Sequence, residues 1–132
     1  MSGLILGDLA DQPRCKKTAD YFLERECFID ARPPDCLVIP VEANIGWRVS
    51  IVTLSHNTQP GHFDETTSRV CQVDREVFIA SCCILYNCHI GEGAILSLGS
   101  VVRSQDIEPW TMVEGNPARI IKRLVNGAWE AV

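Results

Sequence analysis

The stretch CHIGEGAILSLGSVV, residues 88–102, decides the fold. Its large aliphatic residues fall at Ile90, Leu96 and Val102, six apart each time. A helix repeats its buried face about every 3.6 residues and a strand about every 2. Six is a multiple of two, so a strand can carry the beat. The small residues Ala94 and Ser100, however, recur four places after Ile90 and Leu96. The chain therefore turns once in every six residues.

The beat extends backwards. Ile39, Ile45 and Ile51 are again six apart, with Ala43, Val49 and Ser55 in the fifth places. It then stops, and the polar segment 57–72, with one Pro60-Gly61 pair, reads as a loop projecting from a regular body. It resumes at Val73 and Ile79, with Val77 and Cys83 in the fifth places. From Ile79 to Ile90 there are eleven residues, so one hexad around ASCCILYNC, residues 80–88, is a residue short. After Val102 the beat ends. A fixed short period means a solenoid, whose units stack and bury a shared core. Six residues make one short strand and one turn, and three such units close a triangular coil. The aliphatic residue points inward and the small one fits the corner. An antiparallel sandwich would require the same spacing by accident in two separate blocks.

Bulk properties agree. A chain of 132 residues is one domain, and 46% hydrophobic with 22% charged residues suffices for a buried core. A net charge of −5 argues against nucleic acid or an anionic membrane as the main partner. No apolar run approaches the roughly 20 residues of a membrane span. The N-terminus has no basic region before its apolar patch, so it does not read as a signal peptide. The seven cysteines include no C-x-x-C pair, which leaves a zinc ribbon or redox motif unsupported. We read them as free thiols in a reducing cytoplasm, most of them small buried hydrophobes. Residues 1–38 are expected to form an N-terminal cap, with a helix over 16–27 that packs through Phe22 and Leu23. Residues 39–114 form the solenoid, and 115–132 a turn at Gly115-Asn116-Pro117 followed by a short helix.

The order of hexads, SH, loop, hexads, GSVV and EPWTMVEGNPARIIKRL resembles the hexapeptide-repeat acyltransferases. The nearest branch is the sugar and maltose O-acetyltransferases with their colanic-acid and nodulation relatives. The resemblance covers roughly residues 39–124, and its most specific pieces are IGEGAILSLGSVV and PWTMVEGNPARIIKRL. It implies an all-β, left-handed parallel β-helix, a homotrimer with active sites between subunits, and acetyl-coenzyme A as acyl donor. No metal is expected. The family's catalytic histidine lies just before the projecting loop, where this chain has His56. An imidazole with a pKa near 6.5 suits the removal of a hydroxyl proton near neutral pH, which makes His56 the candidate general base. Loop residues Asn57 and His62 are candidate acceptor contacts, and His89 reads as a coil-corner residue.

For the donor, the resemblance places the thioester arm beside Ala80 and Ser81, where a backbone N–H could face the oxyanion. Arg103, Ser104, Arg119 and Lys122 are the candidate phosphate contacts, a local basic cluster on an acidic chain. The chain departs from the family pattern at several of these places. Arg103-Ser104 stands for a Thr-Lys pair, Phe78 for a Trp, Leu85-Tyr86-Asn87 for Leu-Pro-Gly, and Asn57 for an acid.

The expected function is acetyl transfer to a hydroxyl of a saccharide or similar small acceptor by direct attack. The alternatives are N-acylation of an amino sugar or antibiotic, and a non-catalytic β-helix that binds a partner. A γ-type carbonic anhydrase shares the fold but needs three histidines on zinc, and His56, His62 and His89 lack its spacing.

Overall fold

The structure, a computed structural model, describes residues 16–17, 22–23, 27–30, 36–40 and 42–132. Short strands follow one another around three faces. The first turn is Lys16–Lys17 (β1), Phe22–Leu23 (β2) and Phe28–Asp30 (β3), and the second is Leu37–Ile39 (β4), Asn44–Ile45 (β5) and Ser50–Val52 (β6). A hairpin, Leu54–His56 (β7) and Thr66–Ser68 (β8), leaves the coil at that point. The third turn is Cys71–Val73 (β9), Phe78–Ile79 (β10) and Ile84–Tyr86 (β11). The fourth is Cys88–Ile90 (β12), Ile95–Leu96 (β13) and Val101–Arg103 (β14). The last is Asp106–Ile107 (β15) and Thr111–Glu114 (β16), closed by Arg119–Val125 (β17) and Ala128–Ala131 (β18).

Each face is a sheet of parallel strands, one per turn. Sheet A runs β1-β4-β9-β12-β15, sheet B carries β2, β5, β10, β13 and β16, and sheet C runs β3-β6-β11-β14. The register places like on like: Ile45, Ile79 and Leu96 stack in sheet B, and Ile51, Leu85 and Val102 in sheet C. Those residues and Ile39, Val73 and Ile90 are fully buried, so the six-residue aliphatics form the core as the spacing predicts. The fifth-place residues Ala43, Val49, Val77, Cys83, Ala94 and Ser100 are buried too. Ser100 satisfies its hydroxyl by donating to the Ser97 carbonyl at 2.6 Å, so this polar corner carries no desolvation penalty.

The short hexad has a steric explanation. The corner between sheets C and A takes five residues from one inward aliphatic to the next, from Leu85 to Ile90 and again from Val102 to Ile107. Asn87 (φ 50°) and Ser104 (φ 51°) make these corners in the left-handed region. The tight corner absorbs the missing residue, so the side chains keep their facing. The beat therefore continues past Val102 to Ile107 and Val113, both buried. Ser55 departs from the pattern, because Thr53 is the last buried residue before the chain leaves in the hairpin.

Strands stand among the described residues of both expected helices. Within 16–27, the described residues Lys16–Lys17 and Phe22–Leu23 pair in parallel with β4 and β5. These described residues extend the coil, while the rest of the expected cap, including the RPPD segment, 32–35, lies largely outside the described residues. The C-terminal helix is replaced by β17 and β18, an antiparallel hairpin that covers the edge of β16. Its turn is Asn126-Gly127, with φ of 50° and 79°, a pair that favours two-residue hairpins. The segment 57–72 likewise holds an ordered strand, β8, paired with β7, and the coil resumes at Cys71.

Close stacking sets local sequence. A Cβ on Gly91 would lie 2.6 Å from the Pro109 nitrogen and 2.8 Å from the Ile107 carbonyl oxygen, both of them backbone. Gly91→Ala should therefore lower the denaturation midpoint, and Leu96→Ala should cost about 2–5 kcal/mol by urea unfolding. Wild-type stability in either variant would contradict the stacked core.

Candidate active site

The corner between sheets C and A carries the polar features of interest. At the second turn the hairpin leaves it, and His56 ends the outgoing strand, opposite Thr66. His56 is exposed, and its Nδ1 lies 2.7 Å from the Phe63 carbonyl oxygen. A carbonyl only accepts, so Nδ1 carries the hydrogen and donates. In the neutral ring Nε2 is then the unprotonated nitrogen, and the hairpin itself fixes which face of the imidazole is basic.

Asn57 and His62 converge on one carboxylate. Asn57 Nδ2 donates to Glu65 Oε1 at 2.9 Å, and His62 Nδ1 meets Glu65 Oε2 at 2.7 Å. Asn57 Oδ1 also accepts from the Gln59 N–H at 2.9 Å. These contacts tie the hairpin tip. Glu65 is the residue the sequence reading missed. The hydrogen bond from His62, then that from Asn57, holds its carboxyl below the usual range. Glu65 thus bridges the Asn57 and His62 side chains from just before β8. Only pairing across the turn reveals that, and the local signal is the acidic pair Asp64-Glu65 before TTS.

The expected donor-binding residues fall in four places. Ala80 and Ser81 lie at the corner between sheets B and C. The Ala80 N–H donates to the Leu96 carbonyl at 3.0 Å, and Ser81 Oγ accepts from the Trp47 N–H at 3.1 Å. The Ser81 N–H has no backbone acceptor among the described residues. Arg103 and Ser104 lie two turns along from His56 on the C/A corner, where Ser104 Oγ accepts from Asn87 Nδ2 at 3.2 Å. Arg119 is at the open end beside a groove of about 330 Å³, with Gln105, Asp106 and Glu108 as neighbours. Gln105 donates to the Ala118 carbonyl at 3.1 Å, which ties this end to the corner. Lys122 pairs with Met112 in sheet B, away from the others. Arg103 and Lys122 make no ion pair among the described residues, whereas Arg123 is bound to Glu108 at 2.5 Å. One chain therefore places Arg103 and Ser104 on the corner from which the His56 hairpin departs, and Ala80 and Ser81 on the next, across sheet C.

His89 is not at a corner. It sits in the middle of β12 and faces outward, while the adjacent Cys88 is buried in the core. The two side chains point to opposite faces, so Cys88-His89 is not a nucleophile–base pair. Burial pushes the Cys83 thiol up to about 11, and the Cys71 thiol together with burial raises Cys88, so these two stay protonated, while the hydrogen bond with Cys88 lowers Cys71. Among the described residues no cluster of three or more metal-ligating side chains forms.

Known structures share this architecture. A hexapeptide-repeat acetyltransferase from Vibrio cholerae matches with a TM-score of 0.74 at 26% identity, over 80% of this chain and 60% of its own. The chain has the fold of the hexapeptide-repeat acetyltransferases. It is a left-handed parallel β-helix, as the sequence resemblance implies. A maltose O-acetyltransferase from Clostridium difficile matches with a TM-score of 0.65 at 19% identity, over 89% of this chain and 73% of its own. An N-acyltransferase from Bacillus cereus, in complex with dTDP and 3-hydroxybutyryl-CoA, matches at 0.69 and 18%, over 83% and 62%. The chain thus spans about 60% of the length of the Vibrio acetyltransferase. No family model and no curated protein matches it.

Two outcomes test this geometry. Long-range proton–nitrogen NMR near neutral pH should find His56 as the Nδ1–H tautomer, and an Nε2–H tautomer would contradict the Phe63 contact. The folded pKa of Glu65 lies below its ordinary value, so its contribution is present above the ordinary carboxylate range. It is lost as pH falls through the folded pKa. The Asn57 side-chain amide signals should shift in that acidic range in wild type but not in Glu65→Gln.

Proposed function

We propose that the protein transfers the acetyl group of acetyl-coenzyme A to a hydroxyl of a small saccharide acceptor, with His56 as general base. The observation that carries this reading is the Nδ1–H bond of His56 to the Phe63 carbonyl, which leaves Nε2 to take a proton. The Vibrio relative has been seen complexed with acetyl-coenzyme A, which supports the donor. The acceptor oxygen attacks the thioester carbonyl carbon while Nε2 removes its proton. The Ser81 N–H is free to meet the oxyanion. Collapse of the tetrahedral adduct expels the coenzyme A thiolate, which takes the proton back from Nε2. Arg103, Ser104, Arg119 and Lys122 serve the phosphate end, with Asp106 and Glu108 beside Arg119 working against an anion there.

The base and the thioester loop sit on different corners of one chain, so a complete site takes two copies. The C/A corner of one copy faces the B/C corner of the next, which a threefold ring repeats three times. Exposed apolar side chains support such packing: Phe28 and Ile84 on the outer face of sheet C, and Trp47 and Leu98 on the B/C corner. Such a site operates in the cytoplasm, where acetyl-coenzyme A is available.

His56→Ala should lower kcat by about 10²–10⁴ while the circular dichroism spectrum is unchanged. An acceptor screen read by mass spectrometry measures it, and equal activity in the variant would remove His56 from the chemistry. Arg119→Ala/Lys122→Ala should weaken acetyl-coenzyme A binding about tenfold or more by calorimetry. No donor binding by wild type would leave a binding scaffold with the family's shape. Transfer to amines only would make the enzyme an N-acyltransferase.

A further inference from the structure

Outside the His56 hairpin, the outer face of sheet A holds a second ordered histidine. Register aligns Val38, Gln72, His89 and Asp106 in one outward row. His89 Nε2 lies 2.8 Å from Asp74 Oδ2, so Nε2 carries the hydrogen and the carboxylate fixes the ring. The other oxygen, Asp74 Oδ1, accepts from Gln72 Nε2 at 3.1 Å. Asp74 is itself held by its N–H to the Ile90 carbonyl at 3.0 Å. This triad is built on strands and a stacked corner, where side chains are held firmly.

The row borders a groove of about 180 Å³ lined by Val70, Gln72, Asn87, Cys88, His89 and Asp106. Part of the donor capacity around it is spent inward: one hydrogen of Gln72 Nε2 and the His89 Nε2–H on Asp74, and one hydrogen of Asn87 Nδ2 on Ser104. What remains is mostly acceptors, namely His89 Nδ1, Gln72 Oε1, Asn87 Oδ1 and the Asp106 carboxylate, with the second amide hydrogens of Gln72 and Asn87 as donors. The Asp106 carboxylate disfavours an anion, and a neutral molecule with several hydroxyls, which both donate and accept, is matched. The groove also abuts the root of the His56 hairpin. The Cys88 N–H donates to the Val70 carbonyl at 3.0 Å, and the Arg69 N–H to the Thr53 carbonyl. Four residues of extended chain, about 13 Å, separate Val70 from Thr66, the partner of His56.

We infer that this groove is a saccharide subsite in which His89, held by Asp74, positions the acceptor through a hydrogen bond from an acceptor hydroxyl to Nδ1. The inference rests on the acetyl-transfer reading above for its chemical consequence and on the groove's own acceptors for its ligand class. His89 is a positioning residue, and a neutral saccharide reaching from the groove toward His56 Nε2 is its ligand.

The test uses maltose and a methyl galactoside as probes. Either should move the His89 ring signals in NMR, and His89→Ala should abolish that movement. In turnover with acetyl-coenzyme A, His89→Ala should raise the acceptor KM about fivefold to tenfold. It should leave kcat and the donor KM unchanged, and His89→Asn should restore most of the loss. Transfer with unmoved His89 signals, or with an unaltered acceptor KM in His89→Ala, overturns the subsite and leaves the acetyl-transfer reading standing. Probe binding that moves His89 without any transfer supports the subsite and overturns that reading. Neither binding nor transfer overturns both.

Discussion

Every part of this molecule depends on in-register stacking of parallel strands around three faces. A turn of the coil gives its backbone hydrogen bonds to the turn above and below, and like side chains land on like. That constraint explains the buried aliphatic rows and the small corner residues. It also explains Gly46 and Gly91, where the backbone of the next turn comes too close for a Cβ. A solenoid built this way has little freedom except at its corners and ends. The functional features are found there and on the outer faces.

The C/A corner is the tightest of the three and the most altered. It is turned by single left-handed residues at Asn87 and Ser104, and the hairpin with His56 leaves it at the second turn. Arg103 and Ser104 consequently lie on the corner from which the His56 hairpin departs two turns earlier. The rigid coil sets that interval, while the hairpin sets the tautomer of the base through the Phe63 carbonyl. Across sheet C lie Ala80 and Ser81, beside which we propose that the thioester docks. The division of labour between two corners is the structural reason to expect a second copy at the site.

Much of this was legible in the sequence. The six-residue spacing of Ile90, Leu96 and Val102 carries the solenoid because side-chain facing there is set by steric stacking, a local and repeated rule. The position of His56 before the loop was legible only through the family resemblance. Three features were hidden. Phe22 and Leu23 look like one face of a helix, yet two-residue strands are too short to leave a period of their own. Residues 119–125 also admit a helical reading, and the better signal was Asn126-Gly127, a hairpin turn flanked by Val125 and Ala128. The Glu65 and His89 arrangements depend on contacts across a turn and between coils, which no single-chain spacing encodes.

The claim that one site is assembled from two copies is tested most directly by mixing inactive variants. His56→Ala spoils the C/A corner. Ser81→Asp keeps an acceptor for the Trp47 N–H but places a carboxylate on the B/C corner where the thioester is expected. Copies carrying one change each, co-expressed and assembled together, would pair an intact C/A corner with an intact B/C corner at some interfaces. The account predicts that acetyl transfer returns in the mixture while each variant alone is silent. A mixture as inactive as its parents, with mixed assembly verified by native mass spectrometry, would contradict it.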